Sequence, residues 1–371
     1  MNRRNARGFS IIELAAILAA IVLLMSLVLP ALARGRAQSQ VEVSLSNLIA
    51  LGVAHATYAA DWNGRQFTNV VDDLSWYGTC PGEAYGYYID YHGENHPPIL
   101  LGWGPDDDDG RLWGYWMGQP GQWGMCDPIV FGPPSHLTGF GMFRISNVKP
   151  FHDYVNGRFY DPTFYAPKDT VPYAIVEPFF DLPWEFYYVF DHPYWSSYSI
   201  SPAAMFNPAV MAHPGPGEMD GWHDPYLLTG GFESPSFHHA AYPDLKTQII
   251  EHHWNQNAPP DPCNPNFIGG MYDDCEPYYF NHAYISIPAT LFYDNSVRLL
   301  PNAEVLAADE WMIDQVGYGL WSRDTPFGED GYFIDVGYDG TPLSHHVLTT
   351  DGILGRDTLP YPPPSSREIT P

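Results

Sequence analysis

The sequence predicts an α+β protein, one long N-terminal helix of membrane length followed by a β-rich, loop-heavy globular domain. Three observations carry the prediction. Leu14 to Ala33 run apolar for twenty residues, interrupted only by Ser26 and Pro30, which is long enough to cross a bilayer as a helix. Of 37 prolines only Pro30 precedes Pro81, so a start without breakers gives way to a chain broken often. The 12 Trp, 26 Tyr and 20 Phe lie almost wholly after residue 57, in short runs bounded by Pro, Gly, Asp and Asn, as short strands are.

Composition bounds the function. At 371 residues and 45% hydrophobic content the chain can bury a sizeable core, and disorder is not its main state. The 43 acidic against 16 basic residues give a net charge of −27. Six arginines face three acids in the first 65 residues, which are therefore +3, and the remainder is −30. No nucleic-acid partner held through phosphates is expected of such a chain.

Residues 1–8 hold Arg3, Arg4 and Arg7 and no acid, which places the start on the cytoplasmic side of the membrane. An ordinary secretory signal would end at the small residues Ala31-Leu32-Ala33 and release a soluble protein from Arg34. Glu13 argues against it, because a carboxylate inside an apolar span costs about 2.5–3.5 kcal/mol and calls for a partner. Residues 34–62 remain helix-compatible, with Val41, Leu45, Leu48, Leu51, Tyr58 and Trp62 at intervals that put a stripe on one face. A continuous helix from Phe9 to about Asp61 is roughly 80 Å long. Asn63-Gly64 stops it.

The segment Arg7-Gly8-Phe9-Ser10-Ile11-Ile12-Glu13-Leu14 resembles the prepilin-type cleavage and methylation segment of type IV pilins and type II secretion pseudopilins. The resemblance implies that a prepilin peptidase cuts between Gly8 and Phe9 and that Phe9 is then N-methylated. It implies an assembly role for Phe9, Glu13 and Pro30, in which Glu13 pairs with the N-terminal amine of a neighbouring subunit and Pro30 bends the helix. Asn47 to Gly52 with Tyr58-Ala59-Ala60-Asp61-Trp62-Asn63-Gly64 is similar to the pseudopilin-like family abundant in planctomycetes. That family often ends in a His and Asp-Gly strand-turn-strand unit. His282 with Asp294-Asn295 and His346 with Asp351-Gly352 both miss its spacing, and the first, a plausible hairpin in its own right, is preferred as the counterpart. The organisation is then a leader at 1–8, a helix at 9–62 with its membrane and assembly part at 9–33, an acidic aromatic domain at 66–358 and an extended Pro-rich tail at 359–371.

Within the domain, Tyr173–Val176, Phe186–Phe190, Tyr284–Ile287 and Tyr332–Val336 read as strands, Tyr242–Trp254 as the best helix and Asn302–Asp309 as a weaker one. Cys80, Cys126, Cys263 and Cys275 form no C-x-x-C pair, and an even count in an exported domain reads as two disulfides. Proximity favours Cys80 with Cys126 and Cys263 with Cys275, the other pairings staying open. Asp106, Asp107, Asp108 and Asp109 invite Ca2+, as do Asp261, Asp273 and Asp274, although the first group fails the EF-hand spacing. A solvated acidic loop is the preferred reading at both. The pairs His238-His239, His252-His253 and His345-His346 lack H-E-x-x-H spacing and read as ordinary surface or core histidines.

No nucleophile elbow or phosphate loop occurs, so no catalytic residue is assigned and no enzymatic role is expected. Trp113, Tyr115, Trp116, Trp123, Trp184, Tyr187, Tyr188, Tyr194, Trp195 and Tyr198 serve core packing in the main, and exposure decides whether any of them bind an extracellular glycan. The leading expectation is a structural subunit of a pilus-like or pseudopilus filament, whose partners are other copies of the chain, a prepilin peptidase and an inner-membrane assembly platform. The precursor would sit in the inner membrane and the assembled subunit at the cell surface or in the periplasm. Cations such as Ca2+ would ease packing between domains at −30. The alternative is an exported binding module that uses the helix only as an anchor.

Overall fold

In the computed structural model, residues 11–68, 72–78, 87, 99–106, 109–115, 146–188, 193–215, 221–251, 286–322 and 345–360 are described. The first helix, α1, runs unbroken over Ile11–Asp61, about 77 Å at 1.5 Å per residue. Pro30 lies inside it and removes one hydrogen bond of the ladder, and a turn earlier the Ser26 hydroxyl donates to the Leu23 carbonyl at 2.7 Å. The helix ends where the sequence places its stop. Asn63 (φ 55°) and Gly64 (φ 83°) turn left-handed, and Gly64 N donates to the Ala59 carbonyl at 2.6 Å. A side chain at Gly64 would meet Ser236 Oγ at 2.8 Å, so glycine is needed there for space as well as for φ.

The domain is built on two antiparallel sheets. A hairpin of β1 (Ile99–Gly104) and β2 (Arg111–Tyr115) forms the smaller. The larger has the order β3 (Tyr198–Ile200), β4 (Thr247–Glu251), β5 (Ala289–Phe292), β6 (Val297–Leu299). Ser199 pairs with Ile250, Ile250 with Thr290, and Thr290 with Arg298. Among the described residues there are three further α-helices, α2 (Lys149–His152), α3 (Thr170–Val176) and α4 (Asn302–Val316), with seven short 3-10 turns. The docked half of α1 lies on β5 and β6. Behind it, Phe151, Phe159, Phe164, Tyr165, Trp195 and Phe206 fill the core, the aromatic core that a domain poor in aliphatic side chains requires.

The fold class is as the sequence predicts, and several elements differ. Tyr173–Val176 belongs to α3 rather than a strand, because Pro172 sits in its first turn, where a missing N–H costs nothing. Phe186 to Tyr188 form no strand of their own but run beside β1, with Phe186 N donating to the Trp103 carbonyl at 3.0 Å. The expected helix at Tyr242–Trp254 is, over its described residues as far as Glu251, instead turns followed by β4. All five residues of β4 are buried, and a strand covered on both faces has no alternation to distinguish it from a helix. Strand β5 begins just beyond the expected Tyr284–Ile287 run. Helix α4 extends past Asp309 to Val316, where Gly317 (φ 88°) closes it. The expected hairpin forms at Tyr293–Ser296, with Asn295 left-handed (φ 64°) and Ser296 N donating to Asp294 Oδ1 at 2.8 Å. Tyr332–Val336 lies outside the described residues.

Candidate assembly interface

Helix α1 has two halves with opposite environments. From Ile11 to Ser39 every residue is exposed, and the most apolar 18-residue stretch has none of its residues buried in the chain itself. Ile12 and Leu23 are 81% and 63% exposed, an apolar surface on all sides that water does not support. The span is long and apolar enough to cross a membrane. Glu13 stands in its first turn.

From Gln40 onward the helix is docked, first by hydrogen bonds and then by apolar contact. Gln40 Nε2 donates to the Pro167 carbonyl at 3.1 Å. One turn on, Ser44 Oγ donates to Glu251 Oε1 at 2.6 Å and lies 2.7 Å from Tyr198 Oη. Asn47 Nδ2 reaches the Pro162 and Tyr165 carbonyls and Tyr198 Oη at 3.1–3.3 Å. The spacing 40, 44, 47 keeps these groups on one face. Burial pushes the Tyr198 phenol up, so it stays neutral. Beyond them Leu48, Leu51, Ala54, Tyr58 and Ala59 are buried. Of the stripe read from the sequence, Leu48, Leu51 and Tyr58 reach the core and Val41 and Leu45 are half-buried. Trp62 stays 53% exposed, stacked on Tyr58 and donating from Nε1 to Tyr154 Oη at 3.2 Å. Gly52 sets the closeness of approach, since a Cβ there would sit 3.2 Å from both methyl groups of Leu291 on β5.

Three further polar features are buried in the domain, and of these the sequence singled out only His345. His55 faces Phe151 at a ring-centroid distance of 4.3 Å, and burial lowers its pKa to about 3, so the ring is neutral. Lys246 and Asp357 form an ion pair at 2.9 Å with both side chains fully buried. Lys246 Nζ also donates to Ser201 and Thr349 at 2.8 Å, and Asp357 accepts from Thr247 N, His346 N and Thr349 Oγ1. Burial pulls the Lys246 ammonium down against the opposing pull of Asp357. Burial pushes Asp357 up, but the Lys246 charge and its hydrogen bonds outweigh that and hold the carboxyl below its usual value. His345, beside them, is lowered to about 4 by burial.

The other predicted site residues are scattered. Gly8, Phe9, the four cysteines, Asp107, Asp108, Asp261, Asp273 and Asp274 lie outside the described residues, as do His252-His253 and His282. Asp106 pairs with Arg111 at 3.5 Å, and Asp109 is exposed nearby. Among the described residues, no three His, Cys, Asp or Glu side chains converge in a way that would hold a metal ion. His238-His239 forms a turn at the surface, while His345-His346 is buried. Tyr194, Trp195 and Tyr198 are core residues, whereas Trp184 and Tyr188 are exposed. No protein-family profile, curated protein or solved structure matches the chain. The architecture, a single apolar N-terminal helix carrying a β-rich domain, is that of a membrane-anchored protein in two parts.

Proposed function

We propose that the protein is a structural, non-catalytic subunit of a pilus-like or pseudopilus filament, assembled through its N-terminal helix. The observation that carries this reading is the continuity of α1. One uninterrupted helix is apolar and uncovered over its first half and locked into the domain over its second. A signal peptide destined for removal has no need to continue as the packing spine of the mature domain.

On this reading cleavage falls between Gly8 and Phe9, Phe9 becomes the methylated N-terminus, and Glu13 accepts the amine of the next subunit. That pairing offsets the cost of a carboxylate in an apolar layer. Burial of the Ile11–Ala33 surface against other copies supplies the assembly energy, and the acidic domain faces outward at the cell surface or in the periplasm. The test is the N-terminal mass of the mature protein taken from its native membrane or from shed filaments. A start at N-methylated Phe9 is expected. A start near Arg34 would remove the assembly helix and with it this reading, leaving an exported soluble domain.

A further inference from the structure

The β1–β2 hairpin holds ring surface that the core does not absorb. Tyr188 is 59% exposed and Trp184 39%. Trp103, 47% exposed, pairs with Leu112 and so faces the other side of the hairpin from Arg111 and Trp113. The chain from Trp184 to Tyr188 carries both of the first two rings beside β1. Phe186 N donates to the Trp103 carbonyl at 3.0 Å, Trp103 N donates to Glu185 Oε2 at 2.8 Å, and Lys149 holds Glu185 at 2.9 Å. The Trp184 ring lies against Gly110, where an added Cβ would be 2.6 Å from the indole. On β2, Trp113 stacks on Tyr188 with centroids 5.3 Å apart and planes 12° from parallel. The Arg111 guanidinium lies 3.7 Å from the Trp113 ring centroid, and the Trp113 indole N–H donates to the Pro105 carbonyl at 3.3 Å. These supports fix ring planes in advance, so a ligand that stacks on them orders little new structure.

Beside the rings, the Asp106 carboxylate and the Arg111 guanidinium are both exposed, 3.5 Å apart. They offer acceptors and donors at the edge of an apolar surface. A pyranose ring matches this combination, with C–H faces for the aromatic planes and hydroxyl groups at its rim for the charged pair. The charge selects further, since a region at −30 repels anionic polymers. The geometry points to a binding surface for a neutral polysaccharide on the Trp113 face of this hairpin, with Trp184 and Tyr188 as stacking planes and Asp106 and Arg111 as hydrogen-bonding groups. It does not rest on the filament reading, because an anchored or an assembled subunit presents the same hairpin.

The test is native gel electrophoresis of the full chain in a polyoxyethylene detergent, which has no sugar headgroup to compete. The gels are cast with hydroxyethyl cellulose, glucomannan or polygalacturonate. Retardation by at least one of the two neutral polymers, and none by polygalacturonate, is expected. The Trp184→Ala, Tyr188→Ala double variant should weaken retardation about tenfold with only a small fall in the unfolding midpoint, two lost ring contacts being of that order. Asp106→Asn, which preserves size and packing, should weaken it severalfold and gives a second readout should the double variant fold poorly. Three results would overturn the proposal: no retardation by either neutral polymer, retardation that survives both variants, or a double variant that only converts a dimer to a monomer in sedimentation. The last would make the hairpin a self-association surface.

Discussion

Lys246→Ala is expected to destabilise the globular domain by about 3–5 kcal/mol, the cost of leaving a buried charge without its counter-ion. The partners set where in that range it falls. With the ammonium gone, Asp357 still accepts from Thr247 N, His346 N and Thr349 Oγ1, so part of its charge remains stabilised and the lower end applies. Asp357→Ala is the more damaging change. It strands the Lys246 ammonium in a site that is 0% exposed and deprives the Thr247 and His346 backbone N–H groups of their acceptor, each worth about 1–3 kcal/mol when orphaned in the interior. The Lys246→Met, Asp357→Leu double variant buries no charge and should lose no more than Asp357→Ala alone. Thermal unfolding of the full chain in detergent at pH 7, followed by tryptophan fluorescence, reads these differences at roughly 2–4 °C per kcal/mol. Lys246→Ala should lower the midpoint by about 10 °C. A shift under about 2 °C, or a larger loss for Lys246→Ala than for Asp357→Ala, would refute the account of how the pair is held.

Three other perturbations probe the docking of α1 and the charge of the domain. His55 and His345 are held neutral with pKa values of about 3 and 4 against an ordinary 6.5. Their stabilisation is therefore complete above about pH 6.5 and is lost as pH falls through 4 and then 3, and His55→Leu should flatten part of that decline in a series of melts. Gly52→Leu should cost about 1–3 kcal/mol by overpacking Leu291, whereas Gly52→Ala should be near neutral, its helix propensity offsetting the tight 3.2 Å approach in the same melts. Adding a chelator to assembled filaments should loosen them, by restoring repulsion between domains at −30, as turbidity or sedimentation would report.

The helix was the most legible part of the chain, because its signals are local. Length, the absence of breakers and Asn63-Gly64 each act within a turn or two, so they fix α1 and its stop without reference to the rest. The Asp294-Asn295 hairpin was legible for the same reason. Strand β4 was not, since a strand buried on both faces carries the same apolar density as a helix. Helix α3 was misread because Val171, Tyr173, Ile175 and Val176 favour strands one by one, while Pro172 and the packing around it decide the outcome. Within the candidate interface, the apolar stripe could be read from spacing. Ser44, Asn47 and His55 could not, since their partners Glu251, Tyr198 and Phe151 are distant in sequence and only the fold brings them together.

The position of Pro30 gives the rod a mechanical character. It stands on the membrane side of Gln40, the first docked residue, so any bend there leaves the contact between helix and domain intact and carries the domain as a rigid load. Asp61 lies 31 residues farther along, a lever arm of roughly 46 Å. A kink of about 20° at the proline would therefore sweep the end of the helix through about 16 Å. That displacement is a large part of the width of a small domain, and it is obtained without breaking a single contact in the core. A surface carried on such an arm can search for its partner from a fixed root.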